Sequence, residues 1–355
     1  MIRIEKFGGD RYVGHAILAN AAALNALTPW MAIELMNAVQ TWQQDANCQA
    51  ILISGDGDRA FCAGGDVKSV TQLQPGENDL DRITRAADYF ATEYALDELL
   101  HRSNTPVVVW GDGFVMGGGM GLLQGADVRI VTERTRMAMP ETAIGFFTDV
   151  GANYFLNRVP MGLGPLIGIS GAHLSGADAV YLNLADLHLG HEYFEAVKSH
   201  LAQLDWMGDF EGNLGLINHL LRGMAPATHA ADDSDVHQNL QTLLGLRDAP
   251  TLWHRFEGLK NLSAHHNPWL QTVAKTATKA SPLSVVVVDA YLRRHRHSSL
   301  SECFQADLNL ANALVQHGEF TEGVRALLID KDQAPNWAYP DVRDVPGELI
   351  AGLIR

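Results

Sequence analysis

The chain has 355 residues, of which 47% are hydrophobic and 19% charged, and this composition excludes a disordered or fibrous protein. With 26 Lys and Arg against 41 Asp and Glu, the formal net charge is −15, which argues against nucleic acid and anionic membrane surfaces as main partners. The length is typical of about two domains.

The sequence also lacks the features of secretion and membrane insertion. It starts in an alternating pattern, without a basic start, an apolar run and a small-residue cleavage site. No stretch of roughly 18 apolar residues occurs. The 3 cysteines are odd in number and widely spaced in the sequence, so they cannot form a disulfide framework. Their presence without such a framework favours a reducing compartment. We therefore expect a cytoplasmic protein.

Strand and helix patterns alternate in the first third of the chain. Residues 12–19 form a short apolar run that predicts a strand, and Thr28 followed by a proline is a helix start signal. The further predicted elements are a strand at 50–54, a helix at 80–101, and strands at 107–110 and 128–131. Such alternation indicates an α/β protein with parallel strand pairing.

Helical periodicity replaces this alternation in the rest of the chain. It covers residues 192–221, 236–246 and 307–328, and a small, polar, acidic stretch at 225–235 lies between two of these segments. We therefore predict a core domain over residues 1–225 and a mostly helical region over residues 226–355.

Three segments concentrate the residues that could carry chemistry. They read RAFCAGGDVK at 59–68, GFVMGGGMG at 113–121 and MPETAIGFFTDVG at 139–151. Glycine-rich backbone lets a ligand approach N–H groups, and two converging N–H groups form an oxyanion hole. The same glycines could instead permit tight packing alone. The acids Glu141 and Asp149 are either satisfied structural carboxylates or catalytic ones with a tuned pKa.

Other catalytic motifs are missing or weak. The glycine run matches neither a P-loop nor a dinucleotide fingerprint, and no zinc helix or nucleophile elbow occurs. No base is recognisable beside Cys62, which we interpret as a small buried residue.

The three segments resemble those of the crotonase (enoyl-CoA hydratase/isomerase) superfamily, and within it the 3-hydroxyisobutyryl-CoA hydrolases. The likeness covers nearly the whole chain, from LNAL at 24–27 to EGVRALLIDKD at 322–332. The stretch MPETAIG followed by an acid at 149 is specific to this subgroup. The resemblance implies an α/β, ClpP/crotonase-like spiral of β-β-α turns with two roughly perpendicular sheets and a mostly helical C-terminal part.

The resemblance also implies a role for each matching residue. The N–H groups of Gly65 and Gly118 would hold a thioester oxygen, Glu141 would be the main catalytic carboxylate, and Asp149 would lie near the substrate hydroxyl. Glu93 would contact the substrate. The residues near the CoA adenine and ribose would be Leu24, Ala26, Ala63, Gly64, Asp66 and Lys68.

Two departures from the family pattern are informative. Hydratases of the superfamily carry a second glutamate where this chain has Gly121, which argues against hydration. Many relatives carry a basic residue just before LNAL, near the CoA phosphates, where this chain has Ala21–Ala23. The phosphates must therefore find positive charge elsewhere, with Lys68 or the C-terminal part as candidates.

The activity that the resemblance implies is hydrolysis of a short-chain 3-hydroxyacyl-CoA, most specifically 3-hydroxyisobutyryl-CoA to 3-hydroxyisobutyrate and CoA in valine catabolism. The alternatives are an enoyl-CoA hydratase or isomerase and a non-catalytic CoA-ester-binding protein. We expect no metal and no cofactor, because CoA is part of the substrate, and no nucleic-acid or membrane partner. The sequence leaves undecided whether the protein is a homo-oligomer, but the long helical tail argues against assuming the trimer of dimers that is usual in the family.

Overall fold

The computed structural model describes residues 1–225 and 233–354. The strands in these residues are β1 (Ile2–Gly8), β2 (Tyr12–Leu18), β3 (Cys48–Gly55), β4 (Ala60–Cys62), β5 (Val107–Gly111), β6 (Phe114–Met116), β7 (Val128–Val131), β8 (Arg136–Ala138), β9 (Leu174–Ser175) and β10 (Leu187–His188).

Most of the remaining residues are helical. The α-helices are α1 (Pro29–Gln44), α2 (Val67–Thr71), α3 (Asp79–His101), α4 (Gly118–Gln124), α5 (Ala152–Phe155), α6 (Gly164–Ser170), α7 (Gly176–Tyr181), α8 (Phe194–Leu201), α9 (Phe210–Met224), α10 (Asp235–Gln238), α11 (Leu240–Arg247), α12 (Leu252–Asn261), α13 (Pro268–Lys279), α14 (Pro282–Arg294), α15 (Leu300–His317), α16 (Glu319–Val324) and α17 (Gly347–Leu353). Short 3-10 turns lie at Ala21–Ala23, Glu141–Ile144, Leu156–Arg158, Pro160–Gly162, His191–Tyr193 and Leu262–Ala264, and a π turn at Arg325–Ile329.

The strands form two sheets. The first has the order β1-β2-β3-β5-β7-β10, and only its β1–β2 pair is antiparallel. The parallel pairing predicted from the strand–helix alternation is therefore confirmed. The second sheet has the order β4-β6-β8-β9. Its strands have two or three residues each, too few to show the period-2 alternation by which a strand is recognised in sequence.

The first helix forms as its start signal predicts. The Thr28 hydroxyl accepts a hydrogen bond from the Met31 N–H at 3.2 Å and so satisfies one of the free amides at the helix N-terminus. The apolar stripe on this helix is buried and consists of Met31, Ala32, Leu35, Val39 and Trp42.

The helical segments predicted in the second half are divided more finely than the periodicity suggested. Residues 192–221 hold α8 and α9 rather than one continuous helix. Gly208 has a left-handed φ of 87°, and the Asp209 carboxylate accepts the Gly212 N–H at 2.8 Å, so a new helix begins there. The segment 307–328 is likewise interrupted, because α15 ends at His317 and the next residue, Gly318, has a left-handed φ of 88°.

The described chain forms two compact units that interleave in sequence. The first consists of Met1–Gly65, Ala95–Met137 and Leu174–Gln238, and the second of Asp66–Tyr94, Ala138–His173 and Asn239–Arg355. The sheets belong to the first unit except for the last residue of β8, and the second unit is helical. The domain boundary predicted between residues 225 and 226 adjoins residues 226–232, which lie outside the described residues, and stays a prediction.

The core of the first unit lies between the larger sheet and helices α8 and α9. Burial of apolar side chains there removes them from water and stabilises this arrangement. The core residues are Val13, Ala50, Leu52, Val108, Trp110, Val128, Ile130, Leu187, Leu189, Val197, Leu201, Trp206, Ile217 and Leu221.

Candidate active site

Two glycine-rich segments of the first unit follow neighbouring parallel strands. Strands β4 and β6 pair through Ala60 with Phe114 and Cys62 with Val115, so Gly65 and Gly118 come after the carboxyl ends of adjacent strands. Neighbouring strands lie about 4.8 Å apart, which brings both backbones to one edge of the sheet. A Cβ atom on Gly119 would lie 2.3 Å from the Cys62 carbonyl oxygen, so close packing explains this third glycine of the triplet.

The amides of Gly65 and Gly118 are candidate hydrogen-bond donors to a ligand. Gly118 is the first residue of α4, and the first N–H groups of a helix have no acceptor within it. Within residues 1–225 and 233–354, neither amide donates a hydrogen bond to another protein group. Two such donors can bind one oxygen and stabilise negative charge that develops on it.

The segment 24–27 lies against the glycine backbone at 63–65 in the same unit. The Ala63 N–H donates to the Leu24 carbonyl at 3.0 Å, and the Leu27 N–H donates to the Gly64 carbonyl at 2.8 Å. The structure therefore brings together Leu24, Ala26, Ala63, Gly64 and Gly65, the predicted residues of the first unit in this region.

Asn25 holds the turn that presents these residues. Leu24 and Asn25 have left-handed φ values of 54° and 57°, a conformation that asparagine tolerates better than most residues. The buried Asn25 amide donates to the Asp56 and Ala60 carbonyl oxygens at 2.9 and 2.7 Å. Asparagine in the LNAL motif is thus explained by backbone support.

The two charged residues predicted beside the CoA nucleotide lie in the second unit. Asp66 caps α2, where its carboxylate faces the Ser69 N–H at 3.5 Å. Lys68 is exposed on the same short helix. Their predicted contacts with CoA stay predictions.

Arg59 provides positive charge beside the Ala21–Ala23 turn, which has no basic residue of its own. Its exposed guanidinium donates to the Ala21 carbonyl at 3.1 Å within the first unit. A cation therefore lies beside the Ala21–Ala23 turn, although no residue of the turn is basic. Arg59 begins the RAFCAGGDVK segment, and the sequence pattern alone gives it no role.

Three buried acids form a cluster in the second unit. Glu93 lies on α3, Glu141 begins a 3-10 turn, and Asp149 follows on the same segment. Their relative exposures are only 2%, 6% and 5%. Burial raises the pKa of both glutamates and the charge of Asp149 raises it further, so the three carboxyl groups interact as one cluster.

Two tyrosines of α3 support this cluster. The Tyr94 hydroxyl donates to Asp149 Oδ2 at 2.7 Å, and the Tyr89 side chain is hydrogen-bonded to Glu93. Among the described residues, Glu93 Oε1 and Glu141 Oε2 have no protein partner. Buried acceptors of this kind are costly unless a polar ligand or solvent binds them, which favours a binding role over a purely structural one.

Burial dominates the titration of these acids. It raises the pKa of Glu93 and of Glu141 well above their usual values, and the Asp149 charge adds to the effect. Burial also raises the pKa of Asp149 to about 7, against the opposing hydrogen bond from Tyr94. Carboxyl groups with raised pKa are stronger bases than ordinary ones and suit proton transfer near neutral pH.

The C-terminal helices hold the turn that carries Glu141. The Ser281 N–H donates to the Thr142 carbonyl at 2.8 Å. A Cβ atom on Gly323 would lie 2.3 Å from the Ile144 carbonyl oxygen, so α16 packs directly on the backbone of the turn. This contact gives a structural reason for the EGVRALLIDKD stretch that carried the resemblance at the C-terminal end.

The buried acids predict a specific pH dependence of stability. A folded-state pKa above the unfolded one means that the folded chain retains protons that the unfolded chain has lost, so stability falls as pH rises through the folded pKa. For Asp149, this fall extends from its ordinary pKa of 3.8 up to about pH 7 and is complete above that pH. Asp149→Asn removes the effect, so its free energy of unfolding should increase relative to wild type by about 1–2 kcal/mol between about pH 5 and about pH 9. Urea unfolding measures this difference, and an equal difference at both pH values contradicts the burial of Asp149.

The remaining predicted features are placed as follows. All three cysteines, Cys48, Cys62 and Cys303, are buried and form no disulfide, which confirms Cys62 as a buried residue. In the described parts of the chain, no three His, Cys, Asp or Glu side chains are grouped to hold a metal ion. No described helix is long and apolar enough to cross a bilayer.

Comparison with known proteins identifies the class. The enoyl-CoA hydratase/isomerase family model matches residues 13–354, and the chain belongs to this family. Among its relatives, the mitochondrial 3-hydroxyisobutyryl-CoA hydrolase of Gallus gallus is 31% identical and covers 100% of this chain and 88% of that protein. The corresponding hydrolase of Rattus norvegicus is 32% identical over 94% of this chain and 83% of that protein. The small ribosomal subunit protein mS47 of Neurospora crassa is 30% identical over 93% and 66%.

Solved structures agree with this assignment. An enoyl-CoA hydratase from Rhodobacter sphaeroides superposes with a TM-score of 0.82 at 29% identity, covering 99% of this chain and 96% of that one. A carnitinyl-CoA dehydratase from Mycobacterium thermoresistibile superposes with a TM-score of 0.84 at 27% identity, covering 100% and 96%. These comparisons confirm the predicted family and its crotonase-like α/β fold.

Proposed function

We propose that this chain hydrolyses a short-chain 3-hydroxyacyl-CoA thioester, and that 3-hydroxyisobutyryl-CoA is its substrate. The observation that carries the proposal is the buried cluster of Glu93, Glu141 and Asp149, the acids that the resemblance named. Relatives about 31% identical that are called 3-hydroxyisobutyryl-CoA hydrolases support the choice of substrate.

The backbone amides of Gly65 and Gly118 have the role of oxyanion hole in this proposal. They bind the thioester oxygen, and their hydrogen bonds strengthen as negative charge develops in the tetrahedral intermediate. One donor of this kind contributes roughly 2.7–4 kcal/mol to transition-state stabilisation. Because both groups belong to the backbone, the chemistry requires glycine-rich segments rather than particular side chains.

Glu141 acts on the thioester carbonyl by one of two routes. As a general base it removes a proton from water, whose oxygen attacks the carbonyl carbon before the C–S bond breaks and the CoA thiolate takes up a proton. As a nucleophile it forms a mixed anhydride with release of CoA, and water then hydrolyses the anhydride. Single-turnover hydrolysis in heavy-oxygen water separates the routes, because label enters Glu141 only through the anhydride.

Asp149 and Glu93 select the hydroxylated acyl group. An ionised Asp149 accepts a hydrogen bond from the 3-hydroxyl, while Tyr94 holds its other side through the 2.7 Å bond. An acyl group without the hydroxyl leaves these buried acceptors unpaired, and sites of this type reject such analogues strongly.

Gly121 separates this activity from hydration of a double bond. It lies within α4 and is buried, so no carboxylate is available at that position to share a water molecule with Glu141. A hydratase remains the first alternative because a similar solved structure is described as an enoyl-CoA hydratase. Loss of the enoyl absorbance of crotonyl-CoA without thiol release would establish that alternative.

A non-catalytic CoA-ester-binding protein is the second alternative. A relative 30% identical is a ribosomal protein, so similarity at this level does not by itself establish catalysis. Binding of 3-hydroxyisobutyryl-CoA without any release of thiol would favour this alternative.

Arg59 is proposed to bind the phosphates of CoA. We expect Arg59→Ala to raise KM for the CoA ester about tenfold while kcat changes less than about twofold, because the lost ion pair lies far from the thioester. The matched control is Arg136→Ala, since Arg136 is another exposed arginine of the first unit that donates to a backbone carbonyl, at 2.8 Å from Thr135. With the corresponding pantetheine ester, which lacks the nucleotide phosphates, Arg59→Ala should have no effect on KM. An equal rise for both esters contradicts the assignment.

The proposed function is tested by measuring thiol release from a small panel of acyl-CoA esters. We expect the highest kcat/KM with 3-hydroxyisobutyryl-CoA and much lower values with isobutyryl-CoA and acetyl-CoA. A cytoplasmic location, the valine pathway and the absence of a further cofactor belong to this proposal and are open to separate tests.

A further inference from the structure

The backbone directly after Asp149 has an unfavourable conformation. Val150 and Gly151 are both left-handed, with φ values of 53° and 78°. Glycine adopts this conformation freely, whereas a β-branched residue such as valine rarely does. A strained segment beside a functional side chain persists only where the surrounding structure holds it in place.

A buried aspartate of the C-terminal region holds this segment. Asp307 lies on α15 and is 0% exposed. Its Oδ2 atom accepts the Gly151 N–H at 2.7 Å, and its Oδ1 atom accepts the Tyr291 hydroxyl at 2.5 Å. Both carboxylate oxygens are therefore occupied by donors from the turn and from α14.

Tyr291 links this aspartate to both sides of Asp149. Its hydroxyl accepts a hydrogen bond from the Asn153 amide at 3.0 Å, and its ring meets the Phe147 ring edge-on at a centroid distance of 5.4 Å. The Asp307–Tyr291 pair thus contacts residues on both sides of Asp149, namely Phe147, Gly151 and Asn153.

We propose that Asp307 is a positioning residue for Asp149. By holding the Gly151 amide, it keeps Val150 in its left-handed conformation and so fixes the direction in which the Asp149 carboxylate points. Its effect on selectivity rests on the proposed function, because Asp149 is the residue that recognises the 3-hydroxyl. Asp307 itself needs no contact with substrate.

The test begins with Asp307→Asn, which keeps the size of the side chain but replaces one acceptor oxygen with an NH₂ group. We expect the kcat/KM preference for 3-hydroxyisobutyryl-CoA over isobutyryl-CoA to fall at least tenfold, with less than a threefold change for isobutyryl-CoA. Tyr291→Phe, which removes only the hydroxyl, should lower the preference in the same direction. If Asp307→Asn does not fold, Tyr291→Phe decides the question alone.

A rescue and a control separate positioning from general stabilisation. Val150→Gly removes the need to hold the left-handed backbone. The double variant Val150→Gly with Asp307→Asn should therefore show a kcat/KM preference at least threefold higher than that of Asp307→Asn alone. Asp289→Asn is the matched control, since Asp289 is another buried aspartate of the second unit, 2% exposed and paired with Arg255. It should lower stability without changing the preference. Equal losses for both substrates with no rescue overturn the positioning role.

Hydrogen exchange provides a readout that does not depend on turnover. In Asp307→Asn the Gly151 amide should exchange at least tenfold faster than in wild type, while the Ile167 amide, bonded to Leu163 at 3.0 Å, should be unchanged. Unchanged exchange at Gly151 overturns the positioning role whatever the activity. If wild type releases no thiol from any ester but Gly151 responds as expected, the proposed function fails and the positioning role stands.

Discussion

Glu141→Gln is expected to lower kcat for CoA release from 3-hydroxyisobutyryl-CoA by about a thousandfold or more, because the amide can neither accept a proton from water nor attack the thioester. The substitution keeps the shape of the side chain in a nearly fully buried position, with 6% of Glu141 exposed. KM should change little, since the substitution leaves the proposed donors to the carbonyl, the backbone amides of Gly65 and Gly118, in place. Steady-state thiol release measures both parameters.

The control for this variant is Asp178→Asn. Asp178 is 0% exposed in the first unit and accepts hydrogen bonds from Ser234 and Ser175, so its replacement removes a buried charge at a structural position. We expect it to lower the midpoint of thermal unfolding while kcat stays within about twofold of wild type. A Glu141→Gln protein that retains a near-wild-type kcat shows that Glu141 is not the catalytic carboxylate.

Asp149→Ala is expected to lower the preference for hydroxylated over plain acyl groups by about a hundredfold, together with a loss of rate on the hydroxylated ester. The physical reason is that the substrate hydroxyl loses its buried acceptor, while a plain acyl group loses nothing. The measurement is the ratio of kcat/KM for 3-hydroxyisobutyryl-CoA and isobutyryl-CoA. An unchanged ratio with a lower rate on both esters removes Asp149 from hydroxyl recognition.

An exposed acid on a neighbouring helix provides the comparison. Asp88 is exposed on α3, and its replacement with alanine removes the same charge without touching the buried cluster. We expect the ratio for Asp88→Ala to equal that of wild type. If Asp88→Ala and Asp149→Ala lower the ratio equally, a general effect of negative charge rather than a hydrogen bond to the substrate explains the preference.

The long elements of the fold were predictable from local patterns. The helix after Thr28 carries a capping signal, and strands β2, β3, β5 and β7 of the larger sheet carry apolar runs long enough to recognise, whereas its edge strands β1 and β10 were not predicted. The smaller sheet was not predictable, because strands such as β4 and β9 are too short for periodicity. Their positions depend on pairing partners distant in sequence, and local patterns contain no information about those partners.

The interleaving of the two units was also beyond local patterns. The second unit takes in Asp66–Tyr94 and Ala138–His173 in addition to the C-terminal helices. Composition shows a change of character only near residue 225, since the earlier segments resemble the α/β sequence around them. All three acids of the cluster nevertheless lie in this unit, together with the C-terminal helices.

The acids of the candidate site were predictable from the sequence, whereas the residues that support these acids were harder to predict. Glu141 and Asp149 stand out as charges within an apolar stretch, and resemblance identified Glu93. Tyr89 could have been recognised because it lies four residues before Glu93, a spacing that places the two side chains on one helix face. Asp307 could have been recognised in the same way as Glu141 and Asp149, because it is an acid that lies between the buried apolar residues Phe304 and Leu310 of α15.

The net charge of −15 also affects which residues can bind a phosphate-bearing substrate. An acidic chain that binds a phosphate-bearing substrate needs cations beside the ligand, because its overall field repels the ligand at long range. Arg59 beside the Ala21–Ala23 turn and the exposed Lys68 are the residues proposed for this role.

The most direct test of the proposed hydrolysis is the rate of thiol release from 3-hydroxyisobutyryl-CoA, measured side by side with the change in enoyl absorbance of crotonyl-CoA. We predict rapid release of CoA from the hydroxylated ester and at least a hundredfold lower kcat/KM for any reaction with crotonyl-CoA, since Gly121 leaves Glu141 without the second hydratase carboxylate. Efficient hydration of crotonyl-CoA with no release of thiol from 3-hydroxyisobutyryl-CoA would contradict the account.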